Sequence, residues 1–229
     1  MGRDNKRKPR VPEKQSLLVN EFSPRTSKQQ ELVGLIQDKE IIIAKGIAGS
    51  GKTYVSLAVA LSLLGEQYKR IIIVKSVTTL PQEEIGFLKG SQNEKMEPFM
   101  MSFTWNIDKL CGENSAKSLM EKNLVQVLPL AFIRGISIDN SIVIIDETQN
   151  LTLHAFKTMM TRIGENSKYI FLGDVEQVDR KNKNESCLNK VLELFKDVPE
   201  IGTIEFVDED CVRNPLIPKI LSILRENNI

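Results

Sequence analysis

The sequence predicts one α/β domain, RecA-like in outline, with a mostly parallel central sheet covered by helices on both faces. Three observations carry this reading. The chain of 229 residues has room for one sizeable core. Four short runs rich in β-branched residues are apolar throughout instead of alternating, as strands buried on both faces are. Stretches with helical spacing separate those runs, the pattern of strand–helix–strand crossovers. A hydrophobic share of 41% with 27% charged residues excludes wholesale disorder, a collagen repeat or a coiled coil. Lys and Arg total 31 against 30 Asp and Glu, which excludes binding of nucleic acid through bulk positive charge and leaves a local basic groove open.

Residues 1–16 hold six basic side chains (Arg3, Lys6, Arg7, Lys8, Arg10, Lys14) against Asp4 and Glu13, and almost nothing apolar. They read as a flexible basic arm, either solvated or adding phosphate contacts on nucleic acid. The domain proper takes residues 17–229. Ile41-Ile42-Ile43-Ala44 is the first strand, followed by a glycine-rich turn and a helix from Thr53 to Leu64. Residues 71–74, 141–146 and 169–172 are further strands, and 151–163, 187–195 and 215–224 are helices. Residues 78–123 carry Gly86, Gly90, Pro98 and Gly112 without a clean period and read as an insertion within the domain. Phe99, Phe103 and Trp105 have the spacing of core residues in preference to a base-stacking set. Cys111, Cys187 and Cys211 are too scattered for a zinc cage with the single His154, which reads as a surface or packing residue. No apolar run approaches the ~18 to 20 residues that span a bilayer, so no membrane partner and a cytoplasmic location are expected.

The chemistry is concentrated at three strand ends. Gly46-Ile47-Ala48-Gly49-Ser50-Gly51-Lys52-Thr53 satisfies G-x-x-x-x-G-K-[ST] between a strand and a helix. Its backbone N–H groups can turn inward on phosphate oxygens, Lys52 can meet the β- and γ-phosphates, and the Thr53 hydroxyl can reach magnesium. The strand at 142–145 ends in Asp146-Glu147, one carboxylate for the metal and one to polarise an attacking water as general base. Gly173-Asp174-Val175-Glu176-Gln177 follows the strand at 169–172, where the Gln177 amide can sense a γ-phosphate. These features predict an enzyme that binds ATP with magnesium and hydrolyses it.

Taken together, these stretches resemble the PhoH-like family of RecA-type P-loop ATPases, relatives of superfamily 1 helicases, from about Pro24 to Leu224. The resemblance rests also on Pro129-Leu130-Ala131-Phe132-Ile133-Arg134-Gly135, Ile145-Asp146-Glu147-Thr148-Gln149-Asn150, Thr161-Arg162-Ile163-Gly164, Val212-Arg213-Asn214-Pro215 and Ile85-Gly86-Phe87-Leu88-Lys89-Gly90. Thr148 stands where the family has alanine, Lys89 where it has proline, and Asn214 where it often has histidine. The resemblance implies that Gln29 reads adenine and that Arg213 reaches the triphosphate from a neighbouring subunit, with Arg162 a second candidate. It implies a homo-oligomer such as a hexameric ring, and work on RNA or single-stranded DNA. No PIN nuclease domain of the kind some relatives carry is expected here. Two alternatives remain at this point: a small-molecule phosphotransferase, and a nucleotide-gated ring-assembly protein without motor activity.

Overall fold

The computed structural model describes residues 22–75, 92–133, 135–174, 177 and 187–227, with only the backbone described at 92–99 and at 131. The basic arm, the stretch around Lys89 and residues 175–176 and 178–186 lie outside the described residues. Six strands form one sheet in the order β3-β2-β4-β5-β1-β6: β1 (Ile41–Gly46), β2 (Arg70–Lys75), β3 (Val125–Pro129), β4 (Ser141–Asp146), β5 (Lys168–Gly173) and β6 (Ile201–Phe206). All five neighbouring pairs are parallel. The domain is thus the α/β architecture expected, with every described pair parallel.

The continuous apolar runs have a direct cause. In β1, Ile42 and Ala44 enter one core while Ile41 and Ile43 enter the other; in β4, Ile142 and Ile144 oppose Val143 and Ile145. The first core is closed by α1 (Ser27–Asp38), α2 (Lys52–Leu63), α3 (Gln92–Cys111) and α4 (Ser115–Glu121). The second is closed by α5 (Leu153–Met160) and α6 (Leu188–Phe195). A seventh helix, α7 (Leu216–Glu226), buries no residue of its own.

Two strands and three helices lie outside the sequence reading. β3 and β6 are edge strands with one partner each, so they need cover on fewer sides and carry Gln126, Thr203 and Glu205 among their apolar residues. In α1 only Gln29, Leu32 and Ile36 are buried, too short a stripe to announce a helix. The segment read as aperiodic contains α3, a helix of 20 residues, which sends Phe103, Ile107 and Leu110 into the first core and continues through α4 with Ala116 and Leu119. Trp105 does not join them: it is 66% exposed, which corrects the core assignment made from its spacing.

Placement of β5 between β1 and β4 brings three strand ends together at one edge of the sheet. Gly46, the last residue of β1, sits in register with Phe206 of β6. A Cβ on Gly46 would stand 2.4 Å from the Phe206 Cβ and 2.7 Å from its carbonyl oxygen, so the loop can leave the sheet here only because the side chain is absent. Gly46→Ala is expected to cost about 2 kcal/mol or more and to lower the Tm by several degrees. A thermal melt superimposable on that of the parent protein would show that β6 yields.

Candidate active site

The loop from Gly46 to Gly51 curls around the Lys52 ammonium. Lys52 Nζ donates to the Gly46 carbonyl (2.8 Å), the Ile47 carbonyl (2.7 Å) and Ser50 Oγ (3.2 Å), and Ser50 Oγ donates to Ile47 O (2.9 Å). Burial pushes the Lys52 pKa down from its ordinary value, and Arg213 acts in the same direction. The charges of Asp174, Asp146 and Glu147 oppose the shift. One buried cation therefore faces three carboxylates.

The loop is held from behind. Gln29 Nε2 donates to Ser50 O (2.9 Å), the Arg25 N–H donates to Gln29 Oε1 (2.8 Å), the Val212 N–H donates to Gly49 O (3.0 Å), and Arg25 Nη1 donates to Val212 O (3.2 Å). Gly51 has φ +84°, and a Cβ there would meet Gln29 Nε2 at 2.7 Å. Gln29, the expected reader of adenine, is only 3% exposed and has both ends of its carboxamide engaged. In this conformation it braces the loop.

At the end of β4 the Glu147 N–H donates to Asp146 Oδ1 (3.1 Å). Burial, reinforced by the Glu147 charge, pushes the Asp146 carboxyl up to about 6. Glu147 adopts the left-handed region, φ 57° and ψ 39°, an uncommon conformation for a side-chain-bearing residue. Its carboxylate is fixed by Gln149, which is fully buried. Gln149 Nε2 donates to Glu147 Oε2 (2.7 Å) and to the Gln177 carbonyl (3.0 Å), while its Oε1 accepts from the Asp174 N–H (3.0 Å). Thr148, in the family's alanine position, donates its hydroxyl back to Ile145 O (3.2 Å) and leaves the acids undisturbed.

A single cleft is lined by Ala48, Gly49, Gly51, Lys52, Thr53, Asp146, Glu147, Gln177 and Arg213. Gly46, Ile47 and Ser50 stand behind that lining as partners of Lys52. Arg213, expected from a neighbouring subunit, lines the cleft of its own chain, beside Gly49. Arg162 is elsewhere: its carbonyl accepts from the Ile138 N–H (3.0 Å) in the turn before β5, at the amino-terminal edge of the sheet. Gln149, Asp174, Tyr54 and Asn106 belong to the site as well: Gln149 and Asp174 lie in stretches the sequence marks without giving them a role, and nothing in the sequence alone singles out Tyr54 or Asn106. Gln149 is the fourth residue of Asp146-Glu147-Thr148-Gln149, and only its contacts reveal that it joins two strand ends. His154 is exposed, and among the described residues no group of three or more His, Cys, Asp or Glu could hold a metal unaided. Magnesium does not need such a group, because one carboxylate (Asp146), one hydroxyl (Thr53) and phosphate oxygens match its hard, mostly shared coordination.

Asp146 also carries a stability signature. Its folded pKa, about 6, lies above the unfolded value of 3.8, so its contribution is fully present below about pH 4 and is lost as pH rises through 6. Above that range the buried charge costs on the order of 3 kcal/mol. Asp146→Asn is therefore expected to melt several degrees above the parent at pH 7.5, with the gap narrowing towards pH 5. Melting curves of the two nucleotide-free proteins across that range give the check, and a gap independent of pH would refute the shift.

The chain matches the family model described as "PhoH-like protein" over residues 21–225. It is 33% identical over 204 residues to the PhoH-like protein of Bacillus subtilis, covering 89% of this chain and 64% of that protein. It is 34% identical over 200 residues to Protein PhoH of Escherichia coli K12, covering 86% and 56%. The chain thus spans less than two thirds of the length of these relatives. In three dimensions it aligns with the large terminase of a thermophilic bacteriophage at a TM-score of 0.47 and 14% identity, over 82% of this chain and 46% of that one. On the family match and the curated relatives, this chain is a member of the PhoH-like family.

Proposed function

We propose that the protein binds ATP with magnesium and hydrolyses its γ-phosphate, coupling that step to work on RNA or single-stranded DNA. The observation that carries this reading is the convergence of Lys52, Thr53, Asp146, Glu147 and Arg213 on one cleft at the carboxyl ends of β1, β4 and β5. Such crevices are where open α/β sheets bind their ligands. The loop amides and Lys52 hold the phosphates, and Lys52 exchanges its carbonyl partners for phosphate oxygens as the ligand enters. Thr53 and Asp146 would hold the magnesium, which would supply charge neutralisation. Glu147 takes a proton from the attacking water, the new bond forms between that oxygen and the γ-phosphorus, and the β–γ bridging bond breaks to leave ADP and phosphate. Arg213 offsets the charge that develops, from within the same chain. A homo-oligomeric ring remains part of the proposal on family grounds alone. The basic arm at residues 1–16 and the kinship with helicases support a nucleic-acid partner. No described helix is long and apolar enough to cross a membrane.

The test is ATP binding and turnover by the parent protein, Lys52→Ala and Glu147→Gln, with and without RNA, single-stranded DNA and duplex. Lys52→Ala is expected to lose nucleotide binding, and Glu147→Gln to bind ATP with turnover reduced by about 10²-fold or more. Stimulation of the parent by a single strand supports the coupling; equal rates with every polymer remove it, and wild-type turnover by Glu147→Gln removes the base.

Gln149 acts through Glu147 as a positioning residue. Gln149→Met keeps the length and loses the amide, and is expected to lower kcat about 10-fold or more with KM for ATP within about twofold. A rise in KM at constant kcat would assign Gln149 to nucleotide binding instead.

A further inference from the structure

At the rim of the cleft, away from the groups that meet phosphate, lies a small aromatic arrangement. Trp105 is the chain's single tryptophan. It stays 66% exposed on α3 while Phe103 and Ile107 of the same helix are fully buried. Lys109, one turn later, places Nζ 5.2 Å from the indole centroid and 5.4 Å from the centroid of Tyr54, so one ammonium joins the two rings. Tyr54 follows Thr53 in the first turn of α2, and Phe22 packs edge-on against it at 6.0 Å. Tyr54 and Asn106, the residue after Trp105, both line the cleft. The platform therefore adjoins the cleft through Tyr54 and Asn106.

A nucleotide whose phosphates lie on the loop must direct its base out of the cleft. Gln29 has its carboxamide committed to the chain in this conformation, Nε2 donating to Ser50 O and Oε1 accepting from the Arg25 N–H. The tyrosine and asparagine wall leads instead to an indole open to solvent. We propose that the base of the bound nucleotide stacks on Trp105, with Lys109 holding the indole towards Tyr54 and Asn106 within reach of the ribose or the base edge. The inference rests on the ATP reading for the phosphates and adds the residue that receives the base. Stacking on a π-face accepts any purine, so adenine and guanine nucleotides should bind with similar affinity.

Because Trp105 is the only tryptophan, its fluorescence reports on the platform directly. The parent protein is titrated, in magnesium, with ADP, GDP, inorganic tripolyphosphate and an oligothymidylate, and the binding of each is measured in parallel by calorimetry. The expected result is saturable quenching by ADP and GDP, and calorimetric binding of tripolyphosphate without quenching. Trp105→Ala should weaken ADP about 10-fold or more while leaving tripolyphosphate within about twofold, and Trp105→Phe should restore most of the loss. Trp105 is on the surface, so these variants should melt as the parent does. ADP that binds calorimetrically without quenching, and equally well to Trp105→Ala, overturns the proposal. Quenching by oligothymidylate alone also overturns it and assigns the platform to a strand. If neither ADP nor tripolyphosphate binds, the phosphate-loop reading fails, and this inference fails with it.

Discussion

The site is organised around one buried ammonium. Lys52 is nine-tenths withdrawn from water, a position at which a lone charge would be expensive. Three features make it tolerable: carbonyls of the loop it closes, the Ser50 hydroxyl, and three acids facing it from β4 and β5. Those acids can face it only because the sheet places β5 between β1 and β4. Sheet order, loop shape and side-chain charge are consequently one arrangement, and loss of the strand order would leave each of these charges without its counterpart.

The acids in turn depend on uncharged neighbours. Glu147 has its backbone in a left-handed turn and its carboxylate tied to a buried amide. That amide belongs to Gln149, whose other bonds run to Asp174 and Gln177. A carboxylate held in this way has little orientational entropy left to lose, which under the proposed hydrolysis would be its preorganisation. The same three bonds make the ends of β4 and β5 a single unit, so a shift at Gln177 is felt at Glu147.

Much of this is legible in the residues. The four central strands and four of the helices can be read because burial on both faces writes uninterrupted apolar runs, as in Ile71 to Val74. The phosphate loop and the Asp146-Glu147 pair stand out because their chemistry demands fixed spacing. What stays hidden has physical reasons. The edge strands β3 and β6 mix polar with apolar residues, since one side needs no partner. Gln29 and Gln149 act through buried carboxamides, and a glutamine carries no pattern that separates a brace from a solvated side chain. Trp105 reads as a core residue because a spacing of two residues from Phe103 cannot say which side of α3 meets the sheet. The source of Arg213 is a matter of tertiary placement, and the turn at 211–215 brings it to its own loop.

That turn links two parts of the molecule that differ greatly in burial. Its Val212 N–H holds the Gly49 carbonyl, and Ile217 in the first turn of α7 lies 3.5 Å from where a Gly49 side chain would begin. Beyond it, α7 turns Leu216, Ile220 and Ile223 outward, each more than two fifths exposed. The helix is thus a handle fastened to the rim of the phosphate cradle. A displacement of Gly49 would therefore be passed through Val212 to a helix whose outer side is apolar and open to solvent.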